Sequence, residues 1–223
     1  QSENETWRSR IREAPDRLGE LFRIVAAKPG LDTLHPICSF VTPDVEHVRL
    51  KKGGFNTAFF LYCATDAAEL KHASADASET HDLVWMSPRE AVDASDRGDL
   101  FLAPPQWYIL SELAAHPRLS SLPDFCASTA SPQRRLFREF PIKPYPVELD
   151  ADHEFDRAMV YPGDSEHPVY PGPKGLRHRM YMTGTFGGKM KYALRRSGDA
   201  AICQVLPTLR ETHAGWATTT IPR

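Results

Sequence analysis

LVWMSPREAVDASDRGDLFLAPPQWYILSELAA, residues 83–115, is the stretch from which the fold of this chain is read. Leu83 to Met86 form a short apolar run of strand type. Ser87 is placed to cap a helix, Pro88 suits its first position, and Glu90 stands three residues after the cap, the spacing of a capping box. Gly98 fits the residue just past the helix end, where a left-handed backbone is wanted. Pro104-Pro105 opens a second helix, with Trp107, Leu110, Leu113 and Ala114 on one face. The pattern is strand, capped helix, link, helix, and it calls for an α/β fold.

Upstream, Trp7, Ile11, Ala14, Leu18, Leu21 and Val25 recur at helical spacing, and Pro15 is expected to kink or divide that helix. Residues 35–41 and 55–63 read as strands, the second rich in β-formers, joined by a polar link that carries Arg49, Lys51, Lys52 and Gly53-Gly54. Residues 64–82 read as a surface loop or a poor helix. Downstream, Leu122 to Cys126 allow one helical turn. Residues 141–175 hold seven of the 19 prolines together with Gly163, Gly172 and Gly175, which predicts irregular, extended chain with no core of its own. Arg179–Thr183 and Met190–Arg195 are expected to form an antiparallel pair joined through Gly184, Gly187 and Gly188.

Composition narrows the function classes. The 223 residues are 41% hydrophobic, enough for a core, and a net charge of −2 predicts no general affinity for nucleic acid or anionic membrane. No apolar run approaches the ~20 residues of a spanning helix. Cys38, Cys63, Cys126 and Cys203 are widely spaced, contain no Cys-x-x-Cys pair, and read as reduced thiols of an intracellular protein. Asn4-Glu5-Thr6 matches a glycosylation triplet of a kind that recurs by chance.

Trp85, then Ser87-Pro88 with Glu90-Ala91, then Leu102, Pro104-Pro105-Gln106 and a helix, resembles the second half of Nudix hydrolases, in the branch that includes the peroxisomal coenzyme A diphosphatases. Leu34-His35 through Thr42-Pro43, and Phe55 through Phe60, resemble two further strands of that branch; Trp7 to Phe22 resembles its helical insert, and Pro162-Gly163-Asp164 a turn in its C-terminal extension. The resemblance covers residues 7–127. It implies an incomplete Nudix-type α/β/α sandwich with a mixed sheet and an irregular Pro-rich extension, divided as a helical insert (1–33), a Nudix-like α/β portion (34–127) and a Pro/Gly-rich extension with a β-hairpin (128–223).

Nudix enzymes cleave diphosphates with Mg²⁺ held by glutamates of one helix, because hard carboxylate oxygens recruit the cation and the cation offsets substrate charge. The family motif is a Gly, a Glu, an Arg-Glu, a Glu-Glu pair and a Gly at fixed spacing, and the sequence does not contain it. Arg12-Glu13-Ala14-Pro15-Asp16-Arg17-Leu18-Gly19 imitates its second half, but Arg17 stands where the second acid belongs and Pro15 breaks the helix. In relatives of this branch the catalytic helix precedes the helical insert, so the resemblance implies that the catalytic half lies outside these residues. Gly53-Gly54-Phe55-Asn56-Thr57 replaces an Arg pair followed by Phe-Asp-Thr, removing two planar cations suited to phosphate. Lys51 and Lys52 are candidates to substitute for them, against the plainer reading of a solvated basic loop. Glu79 and Asp82 read as loop-edge acids, Arg177-His178-Arg179 as surface charge, and Gly184 to Lys189 fails as a phosphate loop because Thr183 and Met190 occupy required positions.

No residue is therefore assigned a catalytic, cofactor-binding or metal-binding role, and Mg²⁺ is expected only if an intact motif is supplied elsewhere. Two readings follow. The chain is a non-catalytic structural or accessory subunit of a larger intracellular assembly, mitochondrial or peroxisomal; or it is the C-terminal part of a Mg²⁺-dependent diphosphatase acting on coenzyme A or nucleotide-linked diphosphates, with its catalytic half on another segment or chain. An unrelated binding module is the third. Both of the first two predict protein partners, with residues 128–175 extended along a partner surface and anchored by Phe140, Tyr145, Phe155, Tyr161 and Tyr170.

Overall fold

The computed structural model describes residues 3–27, 30, 33–43, 54–64, 66–71, 73–75, 82–114, 141–185 and 189–196, and these fall into two compact units, residues 1–34 and 35–223. The basic link at 44–53, the acid at 79 and the turn expected at 122–126 lie outside the described residues.

The first unit is helical. Helix α1 spans Glu3–Glu13 and α2 spans Arg17–Ile24, separated by Ala14-Pro15-Asp16. The proline divides the helix as its missing amide and ring demand. Helix α2 closes with Ala27 N–H donating to the Phe22 carbonyl and Ala26 N–H to that of Arg23, a Schellman arrangement that puts Ala26 at φ 50°. None of the α2 residues is buried.

The second unit holds the sheets. Strands β1 (Leu34–Val41) and β2 (Asn56–Tyr62) pair with each other. Cys38 and Phe40 of β1 point inward, two residues apart as the pleat requires. The other edge of β1 takes Ile142 in a parallel bridge: Val41 N–H donates to the Ile142 carbonyl at 2.9 Å and Ile142 N–H to that of Ser39 at 2.7 Å. Between β2 and the next helix, Asp66 and Glu69 box a short 3-10 turn at Ala67–Leu70.

Residues 83–86 depart from the expectation of a strand. They are extended but lie outside any strand, with no backbone hydrogen bond to another strand among the described residues. Val84 is 60% and Trp85 66% exposed. Strand-type residues express a fit to a pleated neighbour, and without a neighbour the propensity builds no ladder.

The helices that follow match their sequence signals. Helix α3 spans Pro88–Arg97. Ser87 Oγ accepts from the Glu90 amide at 3.2 Å while the Ser87 amide donates to the Glu90 carboxylate at 2.7 Å. Gly98 ends the helix at φ 80°. Helix α4 spans Pro104–Ala114 and buries Tyr108 and Ile109 as well as Trp107 and Leu113, because it packs on α3 and also lies over the core. Of the expected stripe, Leu110 and Ala114 are only half-buried.

The largest sheet comes from the chain expected to lack a core. Strands β3 (Tyr145–Val147), β4 (Arg157–Val160), β5 (His178–Gly184) and β6 (Met190–Arg196) form an antiparallel sheet in that order. The expected β5–β6 hairpin is present, with Arg179 opposite Arg195 and Thr183 opposite Lys191. The Pro-rich stretch is thus irregular only in part. Ile142, Val160, Tyr161 and Met180 are among the most deeply buried residues, and Phe40, Tyr108 and Tyr161 meet ring to ring, with centroids 5.3–6.4 Å apart. Pro146 lies within β3, an edge strand of the sheet, and the other six prolines of the stretch lie outside the strands, so none has to donate to an inner ladder and their density does not prevent a core. Cys38 and Cys63 are thiols; Cys126 and Cys203 lie outside the described residues.

Candidate functional site

A dense polar cluster lies beneath the loop that joins β4 to β5, residues 161–177. Pro162-Gly163-Asp164 turns the chain sharply, with Gly163 at φ 94°. The loop folds back on itself: Gly163 N–H donates to the Tyr170 carbonyl, and Gly172 N–H to that of Asp164. Gly172 approaches Gly163 so closely that a Cβ there would stand 1.9 Å from the Gly163 oxygen.

Asp164 is wholly buried. Its Oδ1 accepts from the Glu166 amide at 2.9 Å and from Arg179 Nη2 at 3.0 Å; its Oδ2 accepts from the His178 amide at 2.8 Å and from Arg179 Nε at 2.9 Å. Four donors saturate the carboxylate. Burial works against the ionised form, but the guanidinium and the two amides outweigh it and hold the acid below the usual carboxylate range. Arg179, itself 7% exposed, also reaches Glu166 at 2.7 Å, and Arg177 pairs with the same Glu166 oxygen. Those two cations lower the Glu166 carboxyl, Arg177 first.

Two histidines complete the cluster. His178 Nδ1 lies 3.0 Å from the Pro162 carbonyl and Nε2 lies 3.2 Å from the Tyr108 hydroxyl. His167 Nδ1 accepts from the Tyr170 and Val169 amides, and Nε2 reaches the Lys143 carbonyl at 3.1 Å. Burial pushes the His167 imidazole below its ordinary range. The expectation that Arg177-His178-Arg179 is surface charge holds for Arg177 alone: His178 and Arg179 are buried, because β5 faces the core on one side and the loop covers the other.

Chemically this arrangement fixes a loop. A carboxylate accepting four hydrogen bonds has no lone pair left for a cation or a substrate proton. The acids of the family's metal site find no better home in the first unit. Glu13 ends α1, Asp16 lies in the break and Arg17 opens α2, so no single helix presents them. Among the described residues no group of three or more His, Cys, Asp or Glu is placed to hold a metal ion. Among the described residues no set of carboxylates matches what a Nudix magnesium would need. Asp82 is exposed and accepts from the Leu83 amide; Phe55, Asn56 and Thr57 are exposed at the start of β2. Gly184 stands at φ 107° beside Lys189, closing the β5–β6 turn. The buried Asp164–Arg179 pair was not singled out from the sequence, although the Pro-Gly-Asp turn marked its first half.

Residues 1–113 match the model of the NUDT19 Nudix domain. The chain belongs to the Nudix family. It is similar to the acyl-coenzyme A diphosphatase NUDT19 of Gallus gallus, with 31% identity over 76% of this chain and 43% of the relative. The protein of the same name from Homo sapiens is 30% identical over 56% of this chain and 32% of the relative. That of Xenopus laevis is 25% identical over 53% and 30%. This Nudix chain thus spans less than half the length of the curated relatives it matches. A 76% coverage exceeds residues 1–113, so the likeness to the chicken protein continues into the half that carries the four-stranded sheet. No solved structure matches. No helix among the described residues is long and apolar enough to cross a membrane.

Proposed function

We propose that this chain forms the scaffold of a Nudix diphosphatase acting on coenzyme A-linked diphosphates, and that the carboxylates holding its Mg²⁺ come from outside these 223 residues. The observation that carries the reading is the pairing of a match to acyl-coenzyme A diphosphatases with a sequence that lacks the Glu-rich motif. A diphosphate cannot be approached by water or hydroxide until its charge is offset, and a hard cation on several carboxylates is the means the family uses. The broken Arg12–Gly19 segment does not present such a set. The role of a wholly non-catalytic accessory subunit draws no support from relatives named as diphosphatases. In the proposed reading the partner is the polypeptide segment bearing the motif, and the compartment is an organelle in which acyl-coenzyme A is handled.

The test is cleavage of an acyl-coenzyme A by the pure chain with Mg²⁺, beside the same assay on the chain joined to, or co-purified with, a segment carrying the motif. Cleavage only in the second assay is expected. A metal-dependent rate from the pure chain that disappears in Glu13→Gln overturns the assignment of the metal site. No cleavage by the joined protein overturns the diphosphatase reading.

A further inference from the structure

We propose that the β4–β5 loop is a proton-operated clasp, closed while His167 is neutral and released when its imidazole takes up a proton. The hydrogen bonds fix the tautomer. Nδ1 faces two donors, the Tyr170 amide at 2.9 Å and the Val169 amide at 3.3 Å, so it carries no proton of its own. Nε2 therefore holds the proton and donates to the Lys143 carbonyl at 3.1 Å. A second proton would have to enter at Nδ1, turning an acceptor into a donor aimed at two other donors in a site that is 1% exposed. Both amides would lose this acceptor and face a donor instead, and breaking buried hydrogen bonds is costly.

The surroundings offer the imidazolium little compensation. The Tyr145 ring meets His167 edge-on at 5.1 Å and the Tyr170 ring stacks on it at 5.7 Å. Asp164, the nearby anion, favours the charged imidazole but is already committed to Arg179. Glu166 is held by Arg177 and Arg179. The Lys143 ammonium lies over the Tyr145 ring and adds a like charge on that side. His178 differs, because the Tyr108 hydroxyl beside its Nε2 can either donate or accept.

What the clasp holds is a joint. Lys143 follows Ile142, which pairs with β1 through Ser39 and Val41. Releasing His167 frees the segment that links β1 to the four-stranded sheet. The folded imidazole is depressed below its unfolded value near 6.5, so its contribution is complete above that pH and is lost as pH falls below it. Asp164 and Glu166 are also depressed, but their contributions fail only below the ordinary carboxylate range near pH 4. Of these three groups, only His167 takes up its proton in the mildly acidic window.

Hydrogen exchange of the full chain between pH 7.5 and 5, corrected for the intrinsic pH dependence, reads the clasp directly. Peptides covering 141–147 and 161–176 should open by up to about tenfold per pH unit, the limit for one proton taken up on opening. In His167→Asn an amide oxygen takes the place of Nδ1 and accepts without titrating, so the pH dependence should vanish. An unchanged pattern in the native chain, or the same rise in His167→Asn, overturns the proposal. Should His167→Asn fail to fold, imidazole nitrogen spectra of the native chain decide: His167 protonating while the Val169 and Tyr170 amides remain protected overturns the clasp, and concerted loss supports it.

Discussion

Asp164→Ala removes the acceptor of four hydrogen bonds and leaves the Arg179 guanidinium buried beside a void. Each bond to a charged group is worth about 1.5–3 kcal/mol in isolation, but the four share one carboxylate and do not add. Breaking a buried ion pair from one side costs about 3–5 kcal/mol. Glu166, half-exposed, still reaches Arg179, and this partial partner places the expected loss at the lower end, about 3 kcal/mol. Urea unfolding followed by far-ultraviolet circular dichroism measures it, with the slope compared to confirm that the unfolded state is unchanged. The companion is Asp164→Leu with Arg179→Met. Removing both charges leaves no uncompensated ion, so the double variant should lose less than Asp164→Ala alone. A loss under about 1 kcal/mol in Asp164→Ala, or a double variant worse than the single, would refute the claim that this pair locks the loop.

Other substitutions test the remaining local arguments. Ser87→Ala deletes the acceptor of the Glu90 amide and should cost about 1 kcal/mol in the same unfolding assay. Ala26→Gly relieves a left-handed backbone at the α2 terminus and should raise the stability of the first unit by about 1 kcal/mol, read as lower helix fraying in amide exchange. Ile142→Ala opens a cavity at a residue that also bridges to β1, and should cost about 3 kcal/mol and increase exchange at Val41. Unfolding titrations in acid should show a further loss of stability below about pH 4, where the depressed Asp164 is protonated in the unfolded chain first.

Signals confined to a few neighbouring residues were legible in the sequence. The α3 capping box, the left-handed Gly98, the break at Pro15 and the β5–β6 hairpin each depend on backbone chemistry within one turn or one strand pair. Signals that depend on distant partners were not. Leu83 to Met86 carry strand-forming side chains but have no strand beside them among the described residues. The Pro-rich stretch contributes Ile142 and Tyr161 to the core because of what lies opposite them, Phe40 and Tyr108, and no local pattern announces that meeting. Arg179 looks like surface charge in a row of three polar residues; its burial is explained by Asp164, fifteen positions earlier, with Glu166 beside it. At the site the family motif was legible as missing, which is a statement about spacing, whereas the buried network that stands in this half of the molecule is a statement about topology.

The bridge from Ile142 to β1 has a consequence for the order in which the chain can fold during its synthesis. Tyr192 donates to the Leu102 carbonyl across 90 residues, and Tyr108 meets His178 across 70. Residues 1–113, the part that carries the family signature, therefore emerge from the ribosome without the strands that cover Phe40, Trp107 and Tyr108. Loop closure over such separations is slow, and the apolar faces stay open meanwhile. Until β6 has been made, Phe40, Trp107 and Tyr108 lack the strands that cover them in the folded chain.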